Sequence, residues 1–509
     1  MPSKALLWRI ARPSIANTHS PLLRESSFGM LERKTTYGLR SYEQRMASSF
    51  LLDILNKLSQ NHTFCLERRR IGVGPSLIHD KARMNDLMWG MLGPENVHSE
   101  RRTRTLELGA AVRHFNELAV PGLGGVWFGK QLFLALLGIA VAERVRQGGG
   151  RSDNIQVTNA IEALGCWLAY RHNGRQRDDR LSGIDKLSSA SGSPMFSVFG
   201  RRGFYVTQPM RMGAVQALRA LGLVDAASAR FNAYQVSQIG AAFIEAGCGD
   251  IRPRRAHPID ALTAWVGGAF EADTASMRQL LSPVEPLPPF ARELLLECLC
   301  RGSADGATRR RDATEWVRAL IAGQTDAGAK PPQLPEQHWH DVQAGALFFS
   351  LQKHAFAVLD VVEAQLAASN KRSLPLDEVL ASLADAAELL RQAAERFLAH
   401  RFADLEQTGA NGFARECANP SNRELIESLL LRDERVLRLR DGAVLPGQAF
   451  DPSFQVSAPE ERDQAAAPDL ALPEDVSYRL RNLYLLNLDL QGQLDAWLGE
   501  GGLTENGDE

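Results

Sequence analysis

The stretch TQPMRMGAVQALRALGLVDAASARFNAYQVSQIGAAFIEA, residues 207–246, decides how the rest of the chain is read. Thr207 is a good amino-terminal cap, because its hydroxyl can accept from an unpaired amide of a first turn, and Pro209 lies where a missing N–H matters little. A helix is therefore expected from about Gln208. At about 100° per residue, Met210, Ala214, Ala217, Leu218 and Leu221 gather on one side, and Gln208, Arg211, Gln216 and Arg219 on the other. Gly222 ends this helix, Leu223 and Val224 open a strand, Asp225 to Ala229 form a small-residue tip, and Arg230 to Val236 return. Ser237 caps a closing helix in which Ile239, Ala242, Phe243 and Ala246 recur at helical spacing.

Ahead of this stretch, NAIEALGCWLAY (159–170) supplies an apolar helix through Ile161, Leu164, Trp167 and Leu168. The order of elements over 155–246 resembles a winged helix, and residues 217–246 resemble the recognition helix, wing and following helix of MarR-like and PadR-like domains. That resemblance implies contact with double-stranded DNA. Gln208, Arg211, Gln216 and Arg219 would face a major groove, where Arg bridges guanine acceptors and Gln pairs with adenine; Arg230 on the wing would reach phosphate. The tip Asp225-Ala226-Ala227-Ser228 departs from the pattern, since it lacks the basic residues such wings often carry. The same fold also serves for protein contact. Between the first helix and Thr207, a segment holding Arg175, Arg177, Arg180, Arg201 and Arg202 reads either as a basic loop against phosphates or as a solvated insertion.

The whole chain has 509 residues, 44% hydrophobic and 23% charged, with a formal net charge of −2. Such a composition is that of an ordinary soluble protein of several domains, and any attraction to nucleic acid has to be local. Of 58 basic residues only nine are Lys, a bias that follows from a GC-rich bacterial genome as readily as from phosphate recognition. Cys65, Cys166, Cys248, Cys298, Cys300 and Cys417 show no CxxC spacing, so reduced core thiols, a cytoplasmic location and no zinc are expected.

Residues 1–45 read as a disordered basic extension without the apolar core of a signal peptide, and 46–150 as a helical domain. The apolar run Leu132 to Ala142 falls short of the roughly 20 residues that cross a bilayer, so no membrane partner is expected. Two spacings here touch on chemistry. Gly124 to Lys130 fits GxxxxGK, but Gln131 stands where a phosphate-binding loop needs Ser or Thr, and no nucleotide or other cofactor is expected. His79, Lys81, Asp86 and Asn96, with Gly93, resemble the HKD motif of the phospholipase D-like family, which implies a His nucleophile on a phosphodiester. The surrounding residues are helical in pattern and no second copy follows, so a nuclease would need to dimerise.

Beyond the winged-helix region (151–250), a Pro-punctuated helical extension (251–323) and a linker (324–340) lead to a helical bundle with a small hairpin (341–450). His338, His340 and Asp341 invite a metal reading, yet they suit a helix start better and lack a third ligand. Amphipathic helices over 341–368 and 376–405 are expected to pair with other helices, and Asp441-Gly442 to turn the hairpin. A second linker (451–475), a docking helix (476–499) and an acidic tail (500–509) follow; the docking helix carries Leu480, Leu483, Leu486, Leu490, Leu494, Trp497 and Leu498 on one stripe.

The fold expected is mainly α: a helical amino-terminal domain, a central winged helix with a small β-wing, and a carboxy-terminal bundle. The function expected is a non-enzymatic DNA-binding or DNA-sensing subunit of a bacterial multi-protein system, such as phage or plasmid defence, with protein partners meeting 341–407 and 476–498. The alternatives are a kleisin-like architectural subunit and an HKD nuclease.

Overall fold

The computed structural model describes residues 104–188, 193–324, 330–369, 373–450 and 478–501. The chain divides into units 1–81 and 82–509, and every described residue belongs to the second. The extension 1–45, the HKD-like residues His79, Lys81, Asp86 and Asn96, the second linker and most of the acidic tail lie outside the described residues. The described part is mainly helical, with two small sheets.

The amino-terminal core forms around α2 (Gly129–Gln147), which follows α1 (Gly109–Ala119). From Gly129 to Ala142 every residue of α2 is buried; from Leu132 to Ala142 its sequence is apolar on all sides, so other elements must surround it. Across it lies α3 (Asn154–His172), capped by Asp153, whose carboxylate accepts from the Gln156 amide at 2.7 Å. The two helices touch where Gly138 meets Thr158: a Cβ at Gly138 would lie 2.3 Å from the Thr158 hydroxyl. Short helices α4 (Ile184–Ser188) and α5 (Phe196–Phe199) precede α6 (Met210–Ala220). Then come β1 (Val224–Ala226), β2 (Tyr234–Val236) and α7 (Gln238–Cys248), with Val224 opposite Val236 and Ala226 opposite Tyr234 in an antiparallel pair.

The Pro-rich stretch forms α8 (Pro258–Val266), α9 (Ala275–Leu281), α10 (Pro289–Cys300) and α11 (Asp305–Ile321). A long helix, α12 (Glu336–Ala368), opens the second core. It begins inside the stretch read from sequence as linker, since Pro335 can end one segment and start the next without an amide. By length and composition α12 is able to cross a membrane, yet Ala344, Phe348, Leu351, Ala355, Val358, Val362 and Leu366 are all buried in the core. Around it stand α13 (Leu376–Leu380), α14 (Ala384–Ala399), α15 (Ala410–Cys417) and α16 (Asn422–Asp433). The single helix expected over 376–405 is thus broken. Ser382 turns its hydroxyl onto the Val379 carbonyl at 2.9 Å and accepts from the Gln365 side chain, which ends α13 after one turn. A strand β3 (Leu374–Pro375) joins β4 (Leu437–Arg440) and β5 (Ala443–Pro446) in the order β3-β5-β4. Asp441 and Gly442, both at positive φ, make the β4–β5 turn.

Elements from both ends are exchanged between the cores. Helix α1 packs into the second: Phe115 stacks on Phe348 at 4.8 Å, and Arg104 pairs with Glu363 at 2.6 Å and with Asp360. Conversely, α17 (Tyr478–Gln491) packs on the first, against α10 and α11, and α18 (Leu494–Gly501) folds back on α17, with Asp495 pairing to Arg180 at 2.6 Å. Gly492, at φ 72°, splits what the sequence presents as one helix. Leu480, Leu483, Leu485, Leu486 and Leu488 are buried there. The Asp489 carboxylate accepts from the Gly129 amide at 2.8 Å, capping α2 from more than three hundred residues away.

Candidate nucleic-acid interface

Helix α6 begins two residues later than its sequence suggests. Pro209 occupies the cap position with no side-chain acceptor, and Thr207 is exposed. The free amides are met instead by Glu162 of α3, whose two carboxylate oxygens accept from Met210 N at 2.6 Å and Arg211 N at 3.1 Å. Only 1% of Glu162 is exposed, and burial pushes its carboxyl up to about 7 despite those two bonds and that of the Tyr205 hydroxyl. Tyr205 is itself buried, contacts Cys166 Sγ at 3.5 Å, and is driven well above the ordinary phenol range.

The middle of α6 is pressed by the loop before α2. Gly125 donates to the Gly213 carbonyl at 2.8 Å, and a Cβ on Gly124 would come within 2.4 Å of the same oxygen. The glycines of the GxxxxGK spacing therefore serve helix packing here. Lys130 is buried beneath them over the Phe133 ring, and desolvation lowers its ammonium to about 8. At the far end of α6, Arg310 of α11 reaches the Ala220 carbonyl at 3.4 Å and the Pro121 carbonyl at 3.0 Å.

The hairpin is fixed just as firmly. Asn154, at the start of α3, donates to the carbonyls of Phe231 (3.0 Å) and Tyr234 (2.9 Å), and Glu143 of α2 accepts from Val236 N at 2.9 Å. Ser237 both donates to the Gly222 carbonyl at 2.6 Å and caps α7 by accepting from Gly240 N at 3.0 Å.

The side chains singled out from sequence separate on this frame. Arg211 turns inward: its Nε donates to Asn159 Oδ1 of α3 at 2.6 Å, and its guanidinium lies 5.3 Å from the Phe231 ring. Gln208 is half-buried before α6. Gln216 and Arg219 are exposed and line an open groove of about 440 Å³ with Glu117, Gly122, Ala220, Val224, Asp225 and Ala226. The Tyr234 hydroxyl, which donates to the Val215 carbonyl at 3.2 Å, also meets Arg219. Met212, 47% exposed, stands one turn before Gln216. Arg230, Arg201 and Arg202 are exposed outside the groove, with Arg201 Nε donating to the Ser197 carbonyl at 2.9 Å.

Glu162, Asn159 and Tyr205 escape a sequence reading centred on apolar periodicity. The one available signal is a Glu between Ile161 and Ala163 in a helix otherwise apolar around it. The His338 cluster links helices: His338 Nε2 donates to the Ala119 carbonyl at 2.9 Å, while His340 and His400 stack at 4.0 Å and each donates to the other's carbonyl. Among the described residues no group of three or more His, Cys, Asp or Glu is placed to hold a metal ion.

Family models, curated proteins and solved structures alike return no match to this chain.

Proposed function

We propose that residues 154–248 act as a winged helix, with α6 as its recognition helix and β1–β2 as its wing, in a DNA-binding or DNA-sensing subunit. The observation that carries this reading is the exposed pair Gln216 and Arg219, one helical turn apart on α6 and directly beside the two-stranded sheet. Gln and Arg are the side chains suited to adenine and guanine edges. Arg230, Arg201 and Arg202 add exposed cations outside the groove for phosphate. Glu117 and Asp225 in the groove repel phosphate, so the duplex backbone would have to pass outside it.

The size of the helical body around this domain suits a subunit of a bacterial multi-protein system acting on DNA, with phage or plasmid defence as the setting. Protein partners would meet exposed Val361, Leu389 or Leu405, because the inner faces of α12 and α14 are occupied. The test is binding of random-sequence duplex across a salt series. Wild type should lose affinity steeply with salt, and a Gln216→Ala, Arg219→Ala double variant should bind on the order of tenfold or more weakly. Equal affinity of the two proteins would remove α6 from the interface.

A second reading is favoured by the half-exposed Met212 and by the acidic residues lining the groove: α6 would then bind another protein in a kleisin-like architectural role. A protein partner lost on Met212→Asp, with no duplex binding by wild type, would select it.

A further inference from the structure

Glu162 and Asn159 stand one turn apart on α3 and together grip the amino end of α6. Asn159 takes the Arg211 guanidinium, and Glu162 takes the amides of Met210 and Arg211. Pro209 offers no cap, so nothing on α6 itself replaces Glu162 there. We propose that Glu162 is the positioning residue of α6: its protonation seats the amino end of that helix and its ionisation loosens it, so that presentation of Gln216 and Arg219 varies with pH. The proposal rests on the DNA-binding reading for its consequence, though not for the clamp itself.

The charged and titratable groups acting on Glu162 are Arg211 of α6 and Tyr205 of the segment before it; Cys166 of its own helix joins through Tyr205. In the neutral acid, the carboxyl O–H donates to the Tyr205 oxygen and the phenol O–H turns to Cys166 Sγ. In the carboxylate, the phenol O–H donates back to Glu162. The carboxylate is buried away from water with only partial compensation, whereas opening the first turn of α6 hydrates it. A proton held in the closed form and released in the open form means that raising the pH favours opening.

Hydrogen exchange of residues 208–216, corrected for the intrinsic pH dependence of exchange, tests this in the full chain. The first turn of α7 is the internal control, because its cap is the uncharged Ser237. Protection of 208–216 should fall on the order of tenfold or more from pH 6 to pH 8 while α7 stays level, and Glu162→Gln should abolish the difference. Parallel behaviour of the two segments in wild type overturns the clamp, whether or not the variant folds, and so does a Glu162→Gln protein that keeps the wild-type slope. Duplex binding at the same two pH values separates the readings. Absence of binding at both pH values, with the exchange shift present, sinks the DNA-binding reading alone. Binding of equal strength at both, with the shift present, overturns the link between clamp and presentation. Tighter binding at pH 6, lost in Glu162→Gln, is the expected result.

Discussion

Arg211 and Arg219 lie eight residues apart on one short helix and are opposite in circumstance. Arg211 is half-buried against Asn159 and Phe231, whereas Arg219 is exposed. Removing the first leaves the Asn159 oxygen without its donor and takes the cation from an aromatic face. Arg211→Ala should therefore lower unfolding stability by about 1–3 kcal/mol in a denaturant titration, while Arg219→Ala should change it little. Glu162 brings a pH dependence of definite sign. Its folded carboxyl titrates near 7, above the ordinary value of 4.5, so the folded chain keeps a proton that the unfolded chain gives up between those values. Stability from this group is therefore greatest at the acid side of the window and declines as the pH rises through about 7, by a total on the order of 3 kcal/mol. Burial pushes Glu143, Asp433 and Asp489 in the same direction. Thermal unfolding of wild type and Glu162→Gln at pH 5.5 and 8 checks this: the gap between pH values should narrow in the variant. Which arginine points where was not legible in the sequence, because both lie on the polar arc of α6 and only the placement of Asn159, 52 residues earlier, distinguishes them.

Apolar recurrence made the helical elements legible: α2, α3, α7 and the inner row of α12 follow directly from it, and Ser237 and Asp441-Gly442 were readable as cap and turn from local chemistry alone. The boundaries that escaped are those set by distant partners. The start of α6 is fixed by Glu162, and the break after α13 is held by the Gln365 side chain donating to Ser382, each through a hydrogen bond that local periodicity does not encode. Glycine contacts between helices were hidden for the same reason. At the α2–α3 crossing a methyl group on Gly138 would collide with Thr158 at 2.3 Å, so Gly138→Ala should force the helices apart and lower stability by about 1–3 kcal/mol. Gly412, with nothing within 4 Å of an added Cβ, is the matched control inside α15, and Gly412→Ala should be neutral or slightly stabilising in the same unfolding measurement.

The mainly α architecture was readable throughout; the exchange of α1 and α17 between the two cores was not, since pairing between remote segments leaves no local trace. Truncation before residue 478 would uncover the surface on α10 and α11 that receives Leu480, Leu483 and Leu486, and leave the Gly129 amide without its carboxylate. Such a chain should unfold at lower temperature and bind a hydrophobic dye, whereas Asp489→Asn should retain the leucine packing and show only a modest loss. The capping of α2 by Asp489 also has a temporal side. A ribosome has to add some 360 further residues after Gly129 before the carboxylate that caps that helix has been made. Until then the first turn of α2 lacks this acceptor, so its cap closes only after the intervening helices have been made.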